Sequence, residues 1–256
     1  MEALHQYKLI IAYDGTDYHG WQMQYHCLSV TQVLQDTFKK VFFKDITIVG
    51  ASRTDAGVHA VGQVATFTTD MVIDPIAMRK AWNSILPPSI LIRSAERVDG
   101  SFHSQRNVKQ KTYYYHFFSE RPLPFLARYG WFFHRAVSLE KLRDCLQVFV
   151  GTHDFRSFCT LDDEQKNTIR TIDEISVAYI SKFKVVRIRV RGHSFLHYMI
   201  RRIVGAALTV ASHDHLDRSV LEKALAEKNP QQSLPKAPAQ GLMLYKIKYQ
   251  EEKNEL

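Results

Sequence analysis

The chain has 256 residues, of which 45% are hydrophobic and 23% charged, the composition of an ordinary globular protein with room for one large domain or two small ones. With 34 Lys and Arg against 26 Asp and Glu, its formal charge is +8, which favours a polyanionic partner such as nucleic acid. Its three cysteines lack metal-ligand spacing and no apolar run approaches roughly 18 residues, so we expect a soluble cytoplasmic protein without a disulfide framework, a membrane span or a metal.

The first hundred residues predict alternating strands and helices. Residues 7–15 form a short apolar run that ends on Asp-Gly, which indicates a buried strand entering a turn. Ser29 and Gln32 have the capping-box spacing of a helix start. A second helix is predicted to begin at Pro75, a residue favoured in the first turn, and a strand follows at 90–98. One or two further strands are expected within 50–67.

The pattern begins again at Lys111. We predict strands at 111–118 and 128–134, a helix opened by Ser138, a hairpin that turns at 181–184, a long helix starting near Phe195, a helix at 219–228 and a closing strand at 242–250. Two such halves predict an α+β protein of two similar domains, 1–105 and 106–256, each a mainly antiparallel sheet covered by helices, with an active-site cleft between them.

The segment 50–67, GASRTDAGVHAVGQVATF, carries the acid of greatest interest, Asp55. Small residues surround it and Gly57 permits backbone angles closed to other residues, so a large group could approach this loop closely. An isolated Asp-Ala-Gly is more often a simple turn. The residues alone therefore leave both interpretations open.

Three other side chains are candidates, and the residues alone leave their alternatives open. Arg53 could hold a phosphate or be a solvated surface group. Tyr113 shares a strand face with Tyr115 and could stack on a base or belong to the core. Arg201, one turn after His197 on the predicted helix, could face an acid or simply extend its charge to solvent. No metal-binding, phosphate-loop or nucleophile-elbow motif accompanies them.

These residues lie in motifs that resemble the TruA family of tRNA pseudouridine synthases. RTDAGVHA at 53–60 matches the family's catalytic segment. The supporting motifs follow in the family's order: YDGTDYHGWQ at 13–22, SFHS from Ser101, KTYYY from Lys111, GTHDFRSF from Gly151, TIRTI from Thr168, FLHYMIRRIVG from Phe195 and APAQGLMLY from Ala237.

The resemblance implies a catalytic aspartate at Asp55, an aromatic against the target base at Tyr113 and an arginine partner for the acid at Arg201. Arg53 would help to hold the RNA. It also implies helices on one face of each sheet, a homodimer, tRNA as substrate at positions 38–40 of the anticodon stem-loop, and no cofactor or metal.

The chain departs from the family pattern at two places. Ser52 stands where many members have glycine, and Gln105 stands where the family often has arginine, with Arg106 beside it. Arg106 could substitute from a neighbouring position that points elsewhere in a strand. Gln105, Arg106 and His197 are therefore expected near the substrate rather than in the chemistry.

Two other classes of function remain possible from the residues. One is an RNA-binding protein without catalysis, and another is a base glycosylase that uses the same lone acid and releases uracil. A pseudouridine synthase that acts on other RNA sites is a third alternative. The carboxylate could stabilise positive charge at the sugar, attack it or remove a neighbouring proton.

Overall fold

The computed structural model describes residues 3–161 and 167–250, and the chain divides into two compact units. The first consists of Met1–Lys109 and Leu244–Leu256, and the second of Gln110–Met243. The predicted domains meet between residues 105 and 106 and assign the closing strand to the second domain. In the structure, most of that strand belongs to the first unit, because the chain returns there at its end.

The elements follow one another in the α+β order that the sequence predicts. They are β1 (His5–Tyr13), α1 (Val30–Phe42), β2 (Val49–Gly50), β3 (His59–Thr69), α2 (Pro75–Asn83), β4 (Ile90–Val98), β5 (Val108–Phe118), β6 (Trp131–Phe132), α3 (Leu139–Gln147), β7 (Gly151–Asp154), β8 (Ile169–Ile180), β9 (Val185–Gly192), α4 (Met199–Ala211), α5 (Ser219–Glu227) and β10 (Leu242–Tyr249).

The first unit is a sheet in the order β4-β1-β3-β10 with β2 paired to β3. β1 is antiparallel to both β3 and β4. One face of this sheet meets the helices through an aromatic cluster, in which Phe67 of β3 packs on Tyr7 of β1, Phe38 of α1 and Trp82 of α2. The helices therefore cover the sheet on this face, as predicted.

The second unit is a sheet in the order β5-β9-β8-β7, whose neighbours are all antiparallel. The short β6 adds a parallel pair to the end of β5. Alternate residues of β9 are fully buried, as Ile188 and Val190 illustrate, while the arginines between them are half-buried. α3 packs against α4 and against β8, so one face of this sheet carries helices too.

Local signals placed three helix starts correctly. Ser29 Oγ accepts the N–H of Gln32 at 3.2 Å, and Ser138 Oγ accepts the N–H of Lys141 at 3.2 Å. α2 begins at Pro75 after an N-cap at Asp74. Each cap satisfies a backbone donor that the helix itself leaves without a partner.

Three local predictions were wrong. The predicted strand at 128–134 is a 3-10 turn at Ala127–Tyr129 followed by only two paired residues. α4 begins at Met199 rather than near Phe195. The backbone of Tyr198 has left-handed angles, so the residues before Met199 cannot be part of the helix. His197 therefore precedes the helix. Arg106 lies in a turn before β5 and not in a strand.

None of the helices within 3–161 and 167–250 combines the length and the apolar character that crossing a bilayer requires.

Candidate active site

Asp55 lies in the connection between β2 and β3, which contains both buried and exposed residues. Ser52 and Thr54 are buried, Arg53 is exposed and Asp55 is half-buried. The N–H of Val58 donates to the carbonyl oxygen of Asp55 at 3.1 Å and closes a turn. The loop thus buries Ser52 and Thr54, while Arg53 and Asp55 reach the surface of the unit together with the small residues Ala56 and Gly57.

The segment 13–22 holds this loop from one side. The N–H of Trp21 donates to the carbonyl oxygen of Thr54 at 3.1 Å. The N–H of Gly57 donates to the carbonyl oxygen of Tyr18 at 3.2 Å. The hydroxyls of Tyr13 and Thr54 share a buried hydrogen bond of 2.7 Å. Backbone and side chain therefore fix the residue that precedes Asp55.

Two glycines of the same segment allow this close approach. A Cβ on Gly20 would lie 2.4 Å from the carbonyl oxygen of Thr54, and a Cβ on Gly15 would lie 2.0 Å from that of Val58. Gly20 also has a φ of 89°, and Gly57, inside the loop, has a φ of 76°. Side chains at these positions would push the loop away or strain the backbone.

A buried histidine fastens the far end of the loop. His59, which is 1% exposed, accepts the N–H of Gly15 through Nδ1 at 3.1 Å. The same nitrogen lies 3.2 Å from Oδ1 of Asp14. In the sequence, the motif YDGTDYHGWQ supports the family resemblance without indicating a structural role; in the structure it supports the Asp55 loop.

Two glutamines tie down the start of the loop. Gln63 donates from Nε2 to the carbonyl oxygen of Ser52 at 2.6 Å. Gln105 is exposed overall, yet its Nε2 donates to the carbonyl oxygen of Gly50 at 3.0 Å. Gln105 is thus bonded to the strand that leads into the loop, while Arg106 is exposed in the adjacent turn.

In the second unit, Tyr113 lies on β5 opposite Val190 of β9 and is 6% exposed. Its ring meets that of Phe195 edge-on, with centroids 5.3 Å apart. Tyr115 is buried on the same face of the strand, as predicted. Lys111 lies two residues before Tyr113 and therefore points to the same face of the strand. Burial lowers the pKa of Lys111 from 10.5 to about 8.

Arg201 is the third residue of α4 and is only 8% exposed, so it does not extend to solvent. Its Nε–H donates to the carbonyl oxygen of Ala237 at 2.9 Å, and the N–H of Ala237 donates to the carbonyl oxygen of Arg201 at 2.9 Å. This reciprocal pair joins the start of α4 to the loop before β10.

Tyr115 holds the same loop. Its hydroxyl donates to the carbonyl oxygen of Pro238 at 2.9 Å. Burial raises the pKa of Tyr115 well above its ordinary value, and the positive charge of Arg201 acts in the opposite direction with a smaller effect. The phenol is therefore a stable donor at neutral pH. The sequence indicated that Tyr115 shares the face of Tyr113, but not which loop it binds.

His197 is exposed, and its ring stacks on that of Tyr198 with centroids 3.8 Å apart. Tyr198 also meets two cations: its ring centroid is 5.0 Å from Cζ of Arg201 and 3.5 Å from Nζ of Lys236. Tyr198 and Lys236 were not predicted as site residues, because no local signal in the sequence marks them. Their proximity arises from the loop that returns past α4.

The sequence-predicted residues fall into one group within each unit. Arg53 and Asp55 share the β2–β3 loop of the first unit, with Gln105 bonded next to it. Tyr113, His197 and Arg201 belong to the second unit. Within the ranges 3–161 and 167–250, no group of three His, Cys, Asp or Glu side chains is arranged to hold a metal ion.

Comparison with known proteins identifies the family. A family model described as tRNA pseudouridine synthase matches residues 9–105 and 145–250. The chain is 36% identical over 252 residues to the tRNA pseudouridine synthase A of Thermodesulfovibrio yellowstonii, which covers 94% of this chain and 98% of the relative. It is 37% identical over 254 residues to the tRNA pseudouridine synthase A 1 of Protochlamydia amoebophila, covering 97% and 98%.

A third relative, the tRNA pseudouridine synthase A of Parvibaculum lavamentivorans, is 37% identical over 248 residues, covering 96% of this chain and 99% of the relative. Among solved structures, the archaeal box H/ACA Nop10–Cbf5 complex matches with a TM-score of 0.36 and 14% identity over 80% of this chain and 44% of that chain. That similarity is too low to add support. The sequence matches are sufficient: the chain belongs to the tRNA pseudouridine synthase family.

Proposed function

We propose that the protein isomerises uridine to pseudouridine in the anticodon stem-loop of tRNA, at positions 38–40, as a cytoplasmic homodimer that needs no cofactor. The names of its relatives and the family to which it belongs support the activity. The observation that carries the proposal is the Asp55 loop, whose backbone is fixed by buried contacts while the carboxylate remains half-buried at the surface of its unit.

The reaction explains why one acid suffices. The N1–C1′ bond of uridine breaks, the uracil rotates and a C5–C1′ bond forms. C5 then releases its proton and N1 takes one up, so that no atom is gained or lost overall. A base within a stem must first leave the stack, at a cost of a few kcal/mol. Basic surface and aromatic stacking offset that cost.

Asp55 acts on the sugar side of the broken bond. Breaking a glycosidic bond develops positive charge at the sugar, and a carboxylate there stabilises it, attacks it or removes a neighbouring proton. The rigid frame of the loop supports this role because catalysis depends on prior positioning of the charge.

Tyr113 and Arg201 complete the proposed machinery. Tyr113 stacks on the target base and serves as base or relay for the C5 proton. Arg201 is the proposed cationic partner of the Asp55 carboxylate during the reaction. The burial of both side chains and the fixed position of Arg201 on Ala237 support roles that need little reorganisation.

The remaining candidates bind RNA. Arg53 and Arg106 are exposed cations that meet phosphates, and His197 presents an exposed ring. Gln105 contributes by holding the strand that leads into the Asp55 loop. Loss of any one of these side chains is expected to weaken tRNA binding more than it slows the chemical step.

The test is Asp55→Asn, a substitution that removes a charge while keeping the size of the side chain. Purified variant is incubated with anticodon stem-loop transcripts, and pseudouridine is mapped by chemical adduct and primer extension. We expect no product and nearly unchanged tRNA binding. Asp36→Asn, which changes an exposed aspartate of α1, is the matched control and should be fully active.

Other outcomes would select other functions. Modification at the wild-type rate by Asp55→Asn would remove Asp55 from the chemistry. Binding of tRNA without any product from the wild-type protein would indicate an RNA-binding protein, and release of free uracil would indicate a glycosylase. Product at uridines outside positions 38–40 would keep the activity and correct the target.

A further inference from the structure

Tyr198, at the N-terminus of α4, is surrounded by basic side chains of its own unit. The ring of His197 is stacked on it at 3.8 Å, the ammonium of Lys236 lies 3.5 Å from its centroid, and the guanidinium of Arg201 lies 5.0 Å away. Ammonium and guanidinium groups within about 6 Å of an aromatic centroid are attracted by its electron-rich face. We call these four residues the Tyr198 cluster.

The backbone of Tyr198 is unusual for so large a residue. Its φ is 60° and its ψ is 2°, the left-handed region that glycine and asparagine favour. Tyr198 is also the N-cap of α4, yet it makes no side-chain capping bond. The tyrosine therefore brings strain and no cap, and its contribution at this position is the ring.

Arg201 occupies an electrostatically unfavourable place. It lies in the first turn of α4, where the helix dipole is positive, and that turn contains no acidic residue. A cation there is retained in one orientation only by specific contacts. The structure supplies two of them, the carbonyl oxygen of Ala237 and the ring of Tyr198.

The loop that carries Lys236 is itself fixed. Ala237, the next residue, exchanges two hydrogen bonds with Arg201, and Pro238 accepts one from Tyr115. On the other side, Gly205 of α4 leaves room for the backbone of Pro235, since a Cβ there would lie 2.2 Å from its carbonyl oxygen. Lys236 is thus held between fixed neighbours with its ammonium over the ring.

We propose that Tyr198 and Lys236 are positioning residues for Arg201, in which Lys236 clamps the ring and the ring orients the guanidinium. The inference rests on the role proposed above for Arg201 and deepens it. Because Lys236 acts through the ring, its loss slows the chemical step and leaves the affinity for tRNA nearly unchanged. A lysine that bound a phosphate directly would show the opposite pattern.

The test is a set of single-turnover measurements with saturating anticodon stem-loop transcript, combined with transcript affinities. Lys236→Met is expected to slow the reaction about tenfold with an affinity within about twofold of the wild type. Lys236→Arg, which keeps a cation for the ring, should restore most of the rate. Tyr198→Phe should be close to wild type. Tyr198→Asn, which suits the left-handed backbone but lacks the ring, should be slow.

A double variant of Lys236 and Arg201 distinguishes a positioning role of Lys236 from a purely structural one. In an Arg201→Lys background, Lys236→Met should cost little more, because the guanidinium it orients is absent. Multiplicative losses in the double variant would overturn the inference, as would a weakened affinity at an unchanged rate for Lys236→Met. A rate loss in Tyr198→Phe equal to that in Tyr198→Asn would also overturn the inference. Thermal melts of each variant show whether the fold is retained.

Failure of the proposed role of Arg201 has a different signature. A wild-type rate for Arg201→Lys and Arg201→Gln would overturn that role together with this inference. A slow Arg201→Gln combined with a wild-type rate for Lys236→Met would overturn the inference alone.

Discussion

The hydroxyls of Tyr13 and Thr54 share a buried hydrogen bond of 2.7 Å that joins the last residue of β1 to the residue preceding Asp55. The two residues are separated by 41 positions in the chain. The contact therefore attaches the proposed catalytic loop directly to the first strand of the sheet.

Tyr13→Phe should destabilise the fold and slow catalysis, because it removes one partner of this hydrogen bond from the buried Thr54 hydroxyl. An unsatisfied buried group costs about 1–3 kcal/mol. Urea denaturation measures the change, and single-turnover kinetics measure the rate. Tyr179→Phe, at an exposed position on β8, is the matched control and should leave both unchanged. An unaltered rate in a stably folded Tyr13→Phe would separate the contact from catalysis.

Gly20→Ala should strongly reduce activity. The added methyl would lie 2.4 Å from the carbonyl oxygen of Thr54, and the backbone at Gly20 has a φ of 89° that alanine rarely adopts. We expect a loss of stability of about 1–3 kcal/mol from the strain and a displaced Asp55 loop. Gly100→Ala is the control, because a Cβ there meets nothing within 4 Å. Equal activity of the two variants would contradict the supporting role of the segment 13–22.

Arg53→Gln should weaken tRNA binding without a large change in the rate at saturation, because Arg53 is exposed and we assign it to a phosphate. Its loss should also make the affinity less sensitive to salt, lowering the slope of log affinity against log salt by about 0.7–0.9. Filter binding over a salt series measures both quantities.

Lys40→Gln, which removes the same charge from an exposed position of α1, serves as the control for Arg53→Gln. A salt slope that falls equally in both variants would show that net charge, rather than a contact at Arg53, sets the sensitivity.

Lys111→Met should change how stability depends on pH. Burial lowers the pKa of Lys111 from 10.5 to about 8 in the folded protein, so the unfolded chain binds more protons between those values. The free energy of unfolding therefore gains a contribution that rises with pH in this window and is smallest below pH 8. Lys111→Met does not bury a charge and lacks that contribution. Its free energy of unfolding should therefore exceed that of the wild type most at low pH, and the difference should shrink as the pH rises.

Urea denaturation at several pH values between about 7 and 10 tests this expectation, because most of the range between the folded pKa of about 8 and the ordinary value of 10.5 lies within it. Lys109→Met, at an exposed position of β5, is the control and should follow the wild-type curve in parallel. A parallel curve for Lys111→Met as well would show that the charge of Lys111 is not buried in solution.

Much of the molecule follows from local patterns in the sequence. Ser29 and Ser138 cap helices where their spacing predicts, and alternation places Tyr113 and Tyr115 on one face of β5. These outcomes were predictable because capping and strand alternation depend on residues only one to four positions apart. The motif around Asp55 identified the family for a similar reason, since its residues are contiguous.

The tertiary structure alone decided what fixes the candidate residues. Neither the bond between Tyr13 and Thr54 nor the fit of Gly20 against the loop leaves a trace in either segment considered by itself. The apolar spacing around Leu196 and Met199 continues through Tyr198, so periodicity gave no sign that the helix begins at Met199. Lys236 reaches the ring of Tyr198 only because the returning loop is bonded to α4 through Ala237. Contacts between distant segments depend on the assembled fold, whereas the sequence displays only the order of residues along the chain.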